Sequence, residues 1–311
     1  MTKAARTQFE DASFEAQGDG RLDRTLRELL TGASWNDVRR LIETGKVYVA
    51  GTRVSDGAKL VKRGTAVEVR MRAPRPVAPS PLPADALVYL DAQLVIVRKP
   101  AGISTVPFDG TEGDTLDELV RNAVKRRTGR NEPPLGVVHR LDKETSGLLM
   151  FARTLAAKRI LKQAFRVHAV RRRYRALAHG RVTARTITTR LVQDRGDGRR
   201  GSTENSVLGR EATTHVVPLE TFAGATLVEC RLETGRTHQI RIHLAELGHP
   251  ILGERVYAPR GFVGLSAPRL MLHAMELGLE HPTDGRPLDF SEPIPADMLR
   301  VIEELRSRDG G

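Results

Sequence analysis

An aspartate in a turn between two apolar strands is the residue of this sequence best placed to do chemistry. Asp142 follows the strand-like run 136–138 and precedes the apolar run 148–152, in a turn rich in Thr, Ser and Gly. A turn of this kind on a rigid scaffold holds a carboxylate at the floor of a cleft, where it could act as a nucleophile or a base. Read locally, Asp142 could instead be a turn residue that bonds its own backbone.

A second segment, residues 171–180, is predicted to be a strand that sets one tyrosine apart from its arginines. Alternation places Tyr174 and Ala176 on one face, and Arg173 and Arg175 on the other. Tyr174 has the size to support a planar base and an oxygen that can relay a proton. The alternative is an edge strand whose arginines are solvated.

A third segment, residues 234–253, is predicted to contain a helix with Thr237 as its N-cap and Gly248 as its end. It carries three histidines that raise the question of a metal site: His238, His243 and His249. Their spacings put them on no common helical face, and no cysteine or acid cluster completes a ligand set. The sequence therefore predicts no metal.

The bulk composition favours a polyanionic partner. The chain has 311 residues and a net charge of +12, and such a surplus suits nucleic acid or an acidic membrane surface. Aromatic residues make up only 4%, so we expect contacts through arginine and backbone rather than rows of stacking rings. Cys230 is the lone cysteine, and no apolar run reaches signal-peptide or membrane-spanning length. We expect a cytoplasmic monomer.

Two domains are predicted from changes in composition. Strands outnumber helices in the body and seldom alternate with them, which predicts an α+β fold with a mixed, mainly antiparallel sheet. A small α+β head precedes it, and a segment with six prolines joins the two. The predicted parts are a disordered N-terminus at 1–19, a head at 20–71, a linker at 72–86, a body at 87–300 and a tail at 301–311.

The three segments resemble, in the same order, the motifs of the RluA-type pseudouridine synthases. HRLDKETSGLLMFART at 139–154 resembles the family's H-R-L-D signature, Tyr174 with Ala176 matches its Tyr-x-Ala strand, and GRTHQIRIHL at 235–244 matches its third motif. The resemblance spans residues 87 to about 300. It implies an enzyme that isomerises uridine to pseudouridine in RNA. Since that reaction adds nothing and changes no oxidation state, we expect no cofactor.

The resemblance also implies roles for individual residues. The predicted catalytic residues are Asp142, Tyr174 and Arg241, of which Arg241 pairs with the aspartate. The predicted substrate-binding residues are His139, Arg140, Leu141 and Ile240. Arg140 is expected to fill the gap left when the target nucleotide flips out, and Ile240 to pack beside the base. Whether Asp142 attacks the sugar carbon or removes a sugar proton stays open.

Residues 20–71 resemble an S-four-type RNA-binding domain, through RLDRTLRELL, RRLIETGKVYVAG and KRGTAVEV. The chain departs from that pattern at Trp35-Asn36, where Ser-Arg is usual, and at Ala50, where Asn is usual. In the body, Arg98 stands where Asp is usual. With the basic charge, this head predicts an RNA partner, either ribosomal RNA, which we favour, or transfer RNA.

Three other interpretations were weighed. The order Leu-Asp, and the lack of a glycine-rich loop before it, exclude a kinase catalytic loop. A non-catalytic RNA-binding or ribosome-assembly protein would be expected to have lost the aspartate, the tyrosine or the arginine. A glycoside hydrolase would need a second carboxylate, for which Glu144 is the nearest candidate. The basic segment 193–205 has no assigned partner.

Overall fold

The computed structural model describes residues 9–54, 57–73, 82–107 and 115–309. The chain divides into two compact units: a smaller one of residues 1–79 with 107–113, and a larger one of residues 80–106 with 114–311. Residues 74–81 of the predicted linker lie outside the described residues. None of the described helices is long and apolar enough to cross a membrane.

The smaller unit has two helices over a small antiparallel sheet. Its elements are β1 (Ala12–Glu15), β2 (Gly20–Arg21), α1 (Leu22–Leu29), α2 (Trp35–Glu43), β3 (Val47–Val49), β4 (Thr52–Arg53), β5 (Leu60–Val61) and β6 (Ala66–Val69). Four strands pair in the order β1-β6-β3-β4, and β2 pairs with β5. A capping box between Ser34 and Asp37 starts α2, satisfying two backbone N–H groups that the helix leaves open. The predicted small α+β head is confirmed.

Three predictions about the chain's segments are wrong. Residues 12–15 were placed in a disordered N-terminus but form β1, because they pair with the distant strand β6. Leu82 and Ala86, placed in the linker, are buried in the core of the larger unit. The predicted tail at 301–311 is helical to Asp309, since Val301, Ile302 and Leu305 bury one face.

The larger unit is an α+β domain built on one large sheet, as predicted. Its strands are β7 (Leu87–Leu90), β8 (Leu94–Lys99), β9 (Gly136–Val137), β10 (Ser146–Ala152), β11 (Arg171–His179), β12 (Arg185–Val192), β13 (Gly201–Thr203), β14 (Arg210–Phe222), β15 (Ala225–Leu232), β16 (Leu272–Glu280) and β17 (Pro287–Ser291). Its helices are α3 (Leu116–Thr128), α4 (Leu155–Arg166), α5 (Gln239–Glu246) and α6 (Ala296–Asp309).

The sheet runs in the order β13-β12-β14-β15-β11-β16-β10-β8-β7, with β17 paired to β16 and β9 to β10. Its pairs are antiparallel except for β10 with β16, among the strands the structure describes. β11 lies between β15 and β16. It is therefore an interior strand, and the alternative of an edge strand with solvated arginines is wrong.

Strand β10 is buried on both faces and anchors the turn that precedes it. Leu149 and Phe151 point to the core shared with α3, whereas Leu148 and Met150 point to the core shared with α4. A strand covered on both sides reads as a continuous apolar run. The Asp142 turn therefore leads into a strand that is packed on both faces.

Candidate active site

The turn that carries Asp142 is held by hydrogen bonds to its carbonyl groups. Lys99 is fully buried, and its Nζ donates to the carbonyls of Lys143 and Thr145, each at 2.8 Å, and of Pro100 at 2.9 Å. Burial lowers the pKa of Lys99 to about 7, and three carbonyl acceptors require three N–H groups, so the protonated amine fits this site. Thr105 Oγ1 adds a bond to the carbonyl of Leu141 at 2.8 Å.

A glycine lets the end of this turn enter the sheet. Gly147 has φ 113°, and a Cβ at this position would lie 2.2 Å from the carbonyl oxygen of Ala274 on β16. No other residue type fits such an approach. The glycine of the T-S-G sequence thus has a structural explanation, separate from chemistry.

Asp142 faces Arg241 across the site. Arg241 Nη1 lies 3.6 Å from Asp142 Oδ2, and the Asp142 side chain is 15% exposed. Arg241 projects from α5 and is itself held by Glu254, with Nε 2.7 Å from Oε2 and Nη2 2.9 Å from Oε1. Glu254 is itself held in place, because its Oε1 also accepts hydrogen bonds from the backbone N–H groups of Val256 and Tyr257. The predicted pairing of Arg241 with Asp142 is present, and Glu254 holds Arg241 in place from its other side.

A histidine approaches Asp142 from the other side. His238 Nε2 lies 3.7 Å from Asp142 Oδ1, and His238 Nδ1 lies 2.5 Å from the Tyr257 hydroxyl. The backbone of His238 is left-handed, with φ 60°, which is uncommon for a residue with a side chain and costs about 1–3 kcal/mol. In this conformation the imidazole lies between Asp142 and Tyr257.

The electrostatics keep Asp142 ionised. Burial by itself raises the pKa of Asp142, but His238 in its charged form and the guanidinium groups of Arg241 and Arg140 together outweigh it and hold that pKa below its ordinary value. Burial lowers the pKa of His238 to about 4, so this imidazole is neutral at pH 7. The charge that stabilises the carboxylate at neutral pH is therefore that of the two arginines.

The residues predicted to handle the base line the same cavity, which has a volume of about 390 Å³. Tyr174 and Ile240 are 6% and 4% exposed, and both line it together with Asp142 and Leu272. Burial raises the pKa of Tyr174, so its phenol stays protonated at neutral pH. The predicted alternation on β11 is confirmed, because Tyr174 and Ala176 are buried whereas Arg173 pairs on the other face with Glu229 and Glu276.

The three residues before Asp142 occupy different environments. Arg140 is exposed at the cavity and Leu141 is buried in the main core. His139 Nε2 accepts a hydrogen bond from the Met150 N–H at 3.0 Å, and its ring stacks on Phe165 at 4.8 Å. Burial lowers the pKa of His139 to about 3. It is a neutral imidazole that supports the wall of the cavity.

Some features of the third segment differ from the prediction. Helix α5 begins after His238, without a side-chain cap, so the prediction of Thr237 as N-cap is wrong. The side chain of Gln239 instead accepts hydrogen bonds at the start of this helix, because its Oε1 accepts from the Arg236 N–H and the Thr234 hydroxyl. Of the three histidines, His243 bonds the hydroxyls of Thr214 and Thr189. Within the described ranges no group of three or more His, Cys, Asp or Glu residues could hold a metal ion.

Sequence reasoning missed Glu254, Tyr257 and the orientation of His238. Glu254 and Tyr257 lie in a loop after α5 without regular periodicity, and their side chains meet the site only because that loop folds back on the helix. The positive φ of His238 leaves no mark in composition or spacing.

The fold and site match a known class of RNA-modifying enzyme. The sequence model described as RNA pseudouridylate synthase matches residues 93–246, and that of the S4 domain matches residues 20–67. The ribosomal large subunit pseudouridine synthase D of Zymomonas mobilis is 35% identical to the chain, over 92% of this chain and 93% of that protein. The RNA pseudouridine synthase YlyB of Bacillus subtilis, called uncharacterized, is 34% identical over 96% and 98%.

Solved structures agree at the level of the fold. The human RNA pseudouridylate synthase domain containing 4 superposes with a TM-score of 0.60 at 23% identity, over 71% of this chain and 93% of that one. The chain therefore belongs to the RNA pseudouridine synthase family. It is an RluA-type member with an S4 domain, and the interpretation of the sequence as an RNA uridine isomerase is confirmed.

Proposed function

We propose that this enzyme isomerises uridine in large-subunit ribosomal RNA, with Asp142 as its catalytic carboxylate. The choice of RNA is supported by the name of the Zymomonas mobilis relative, and by the same name on a Yersinia pestis relative that is 31% identical over 98% of this chain. An S4 domain and a net charge of +12 suit a large structured RNA. Such an enzyme would work in the cytoplasm, where ribosomal RNA is found.

The observation that carries the proposal is the convergence of a carboxylate, a guanidinium and a phenol on one cavity of about 390 Å³. In the reaction the C1′–N1 bond breaks, the uracil turns, and C1′ bonds to C5, which then loses its proton while N1 gains one. Attack of Asp142 on C1′ and removal of a sugar proton by Asp142 both require the ionised carboxylate. Arg241 keeps it ionised, and Tyr174 lies on the wall where the C5 proton could be relayed.

A stacked or paired uridine must leave its helix to enter this cavity. Flipping costs a few kcal/mol, which contacts at the site must offset. Arg140 is exposed at the cavity mouth, next to the buried Leu141, and a planar guanidinium can stack in the vacancy. Ile240 and Tyr174 then flank the flipped base, while His139 supports the wall behind it.

The release of tritium from RNA labelled at uracil C5 tests the catalytic assignment. Asp142→Asn keeps the size of the side chain and removes its charge, so release should stop. Glu144→Gln is the matched control, because Glu144 is exposed two residues away and should release label at the native rate. Native turnover by Asp142→Asn would overturn the assignment. A loss of tritium release in Glu144→Gln alone would favour Glu144 as the catalytic carboxylate.

Chemical mapping of pseudouridine in total RNA tests the target. Cells with and without the enzyme should differ at one or a few positions of large-subunit ribosomal RNA. A difference confined to transfer RNA would overturn that part of the proposal and leave the chemistry in place. The expected absence of a cofactor is checked in the same assay with chelator-treated, desalted enzyme, which should retain full activity.

A further inference from the structure

Arg172 is a buried guanidinium without an acidic partner. It lies on β11, is 6% exposed, and lines the same cavity as Asp142. Its Nη2 donates to the carbonyl of Glu233 at 3.1 Å, and its guanidinium carbon lies 5.3 Å from the centre of the Phe165 ring. Its Nε is buried with no hydrogen-bond partner, and no carboxylate pairs with it, among the residues that the structure describes.

A charge in this position is costly until an anion joins it. Burial lowers the pKa of Arg172, yet a guanidinium does not give up its proton in a protein. A buried cation without a partner loses hydration and gains no ion pair in return. Arg241 shows the contrast, because it is similarly buried and has both Glu254 and Asp142 beside it. Of the two buried arginines that line the cavity, Arg241 is thus neutralised and Arg172 is still available to an anion.

The position of Arg172 identifies which part of a nucleotide it would meet. Arg172 and Tyr174 lie on the same face of β11, two residues apart, so their Cα atoms are separated by about 7 Å. That separation is comparable to the distance between a nucleobase and its own phosphate. Two exposed cations of α4, Lys162 and Arg166, line the cavity beside Arg172. A phosphodiester there would face three positive charges.

A glycine makes room for this arrangement. A Cβ on Gly235 would lie 2.6 Å from Arg172 Nη1, so the guanidinium lies directly against the backbone of the loop that leads into α5. His168, at the end of the α4 connection, also bonds the carbonyl of Glu233. The loop, the histidine and the arginine are therefore tied together, and the guanidinium is positioned before any ligand arrives.

We propose that Arg172, with Lys162 and Arg166 beside it, forms a phosphate subsite that holds a phosphodiester of the flipped uridine. The proposal rests on the proposed function, because it takes the target to be a nucleotide in RNA. A phosphate contact would hold the sugar while the uracil turns, since the detached base has no covalent link to the chain. Arg172 is then a positioning residue, distinct from the groups that move electrons or protons.

The experiment uses a short synthetic RNA stem-loop that contains the mapped target uridine. Three versions are compared: all native phosphates, and a single neutral methylphosphonate on the 5′ or on the 3′ side of the target. Arg172→Gln is compared with Arg171→Gln, whose guanidinium is on the opposite face of β11 and pairs with Asp289. Single-turnover tritium release gives the half-saturating enzyme concentration and the maximal rate for each combination.

For the native protein, one methylphosphonate should raise the half-saturating concentration about 10- to 100-fold, the range for a hydrogen bond to a charged group. Arg172→Gln should show the same rise in half-saturating concentration on native RNA, and no further rise on the modified RNA. It should also reduce the slope of log affinity against log salt by about 1. Arg171→Gln should retain native sensitivity. Gly235→Ala, whose methyl group displaces the guanidinium, should reproduce the loss if Arg172→Gln does not fold.

Two results would overturn the proposal. Arg172→Gln with an unchanged salt slope, an unchanged methylphosphonate effect and a lower maximal rate would assign the guanidinium to the uracil. Native enzyme that is indifferent to both methylphosphonates would exclude a phosphate contact at the target. Either outcome leaves tritium release by the native enzyme intact, whereas failure of the proposed function would abolish that release on every RNA.

Discussion

Glu254 holds Arg241 through two hydrogen bonds, of 2.7 and 2.9 Å, and leaves one guanidinium nitrogen to face Asp142 at 3.6 Å. The carboxylate proposed to be catalytic is therefore positioned by an arginine that is itself positioned by a second carboxylate. Planar guanidinium groups suit this task, because one edge can bind a carboxylate in a fixed geometry while another nitrogen points elsewhere.

We predict that Glu254→Gln impairs both stability and catalysis. Removing one partner of a buried ion pair costs about 3 kcal/mol, and a guanidinium free to shift would misplace Asp142 and lower the maximal rate about 10- to 100-fold. Denaturant unfolding and single-turnover tritium release measure the two effects. Glu220→Gln is the control, since Glu220 pairs with Arg306 at the surface and its loss should cost less than about 1 kcal/mol. An active, fully stable Glu254→Gln enzyme would contradict the prediction.

The acid limb of the rate should depend on Arg241. Both roles proposed for Asp142 require its ionised form, and its pKa lies below the ordinary value because His238 in its charged form and the nearby arginines together outweigh the opposing effect of burial. Activity should therefore fall only as the pH drops below the ordinary aspartate range. Arg241→Gln removes the closest charge and leaves burial, so the acid limb should move upward by about one to three pH units. Single-turnover rates against pH measure the shift.

The same reasoning predicts how Asp142 contributes to stability. A carboxylate whose folded-state pKa is below its unfolded value binds fewer protons when folded, so its contribution is present above the unfolded pKa and is lost as the pH falls through the folded pKa. If Arg241→Gln raises the pKa of Asp142 above its unfolded value, ionised Asp142 destabilises the folded protein instead of stabilising it. An acid limb that does not move in this variant would show that Arg140 suffices, and the prediction would be wrong.

Local sequence patterns predicted the elements that carry the site, whereas the roles of Arg140, Ile240 and Arg241 followed only from the family resemblance. The alternation of β11 fixed the face of Tyr174, and the helical spacing after residue 238 fixed the direction of α5. Glu254, Tyr257 and Arg172 were not predicted, for two different reasons. The first two act through a loop with no periodicity, and Arg172 looked like one of several arginines until its burial was known.

The limits of sequence reasoning at the chain ends have a similar origin. Strand β1 is only four residues long, and it forms because β6 offers an edge for pairing. No local signal marks such a partner. The apolar residues of α6, by contrast, occur at helical spacing, so the continuation of this helix past residue 300 could be predicted from the sequence.

The turn between β3 and β4 offers a stability test in the smaller unit. Ala50 and Gly51 have φ of 49° and 73°, and a two-residue hairpin turn with both residues left-handed favours Asn-Gly. Ala50→Asn, which restores the residue usual in S-four-type domains, should raise the free energy of unfolding by about 0.5–1 kcal/mol. Trp35, the lone tryptophan, lies in this unit and reports its denaturant unfolding. Gly51→Ala should destabilise, and a stabilising Gly51→Ala would contradict the explanation.

The Tyr257 hydroxyl is expected to choose the tautomer of His238. Burial raises the pKa of Tyr257 and lowers that of His238 to about 4, so at pH 7 a protonated phenol meets a neutral imidazole. The phenol donates to Nδ1, which leaves the proton on Nε2, the nitrogen that faces Asp142 at 3.7 Å. An N–H directed at the carboxylate stabilises it, whereas a lone pair there would repel it.

Tyr257→Phe removes the hydroxyl that sets the tautomer of His238 and keeps the aromatic ring. We expect the maximal rate to fall about 2- to 13-fold, the net value of one hydrogen bond. The half-saturating concentration should not change, because the phenol does not line the cavity. Imidazole ¹⁵N chemical shifts should show the Nε2–H form of His238 in the native protein and a mixture in the variant. His238→Gln, whose amide can still donate to Asp142, should retain more activity than His238→Leu. Equal rates in the two His238 variants, or an Nδ1–H imidazole in the native protein, would show that His238 acts only as packing.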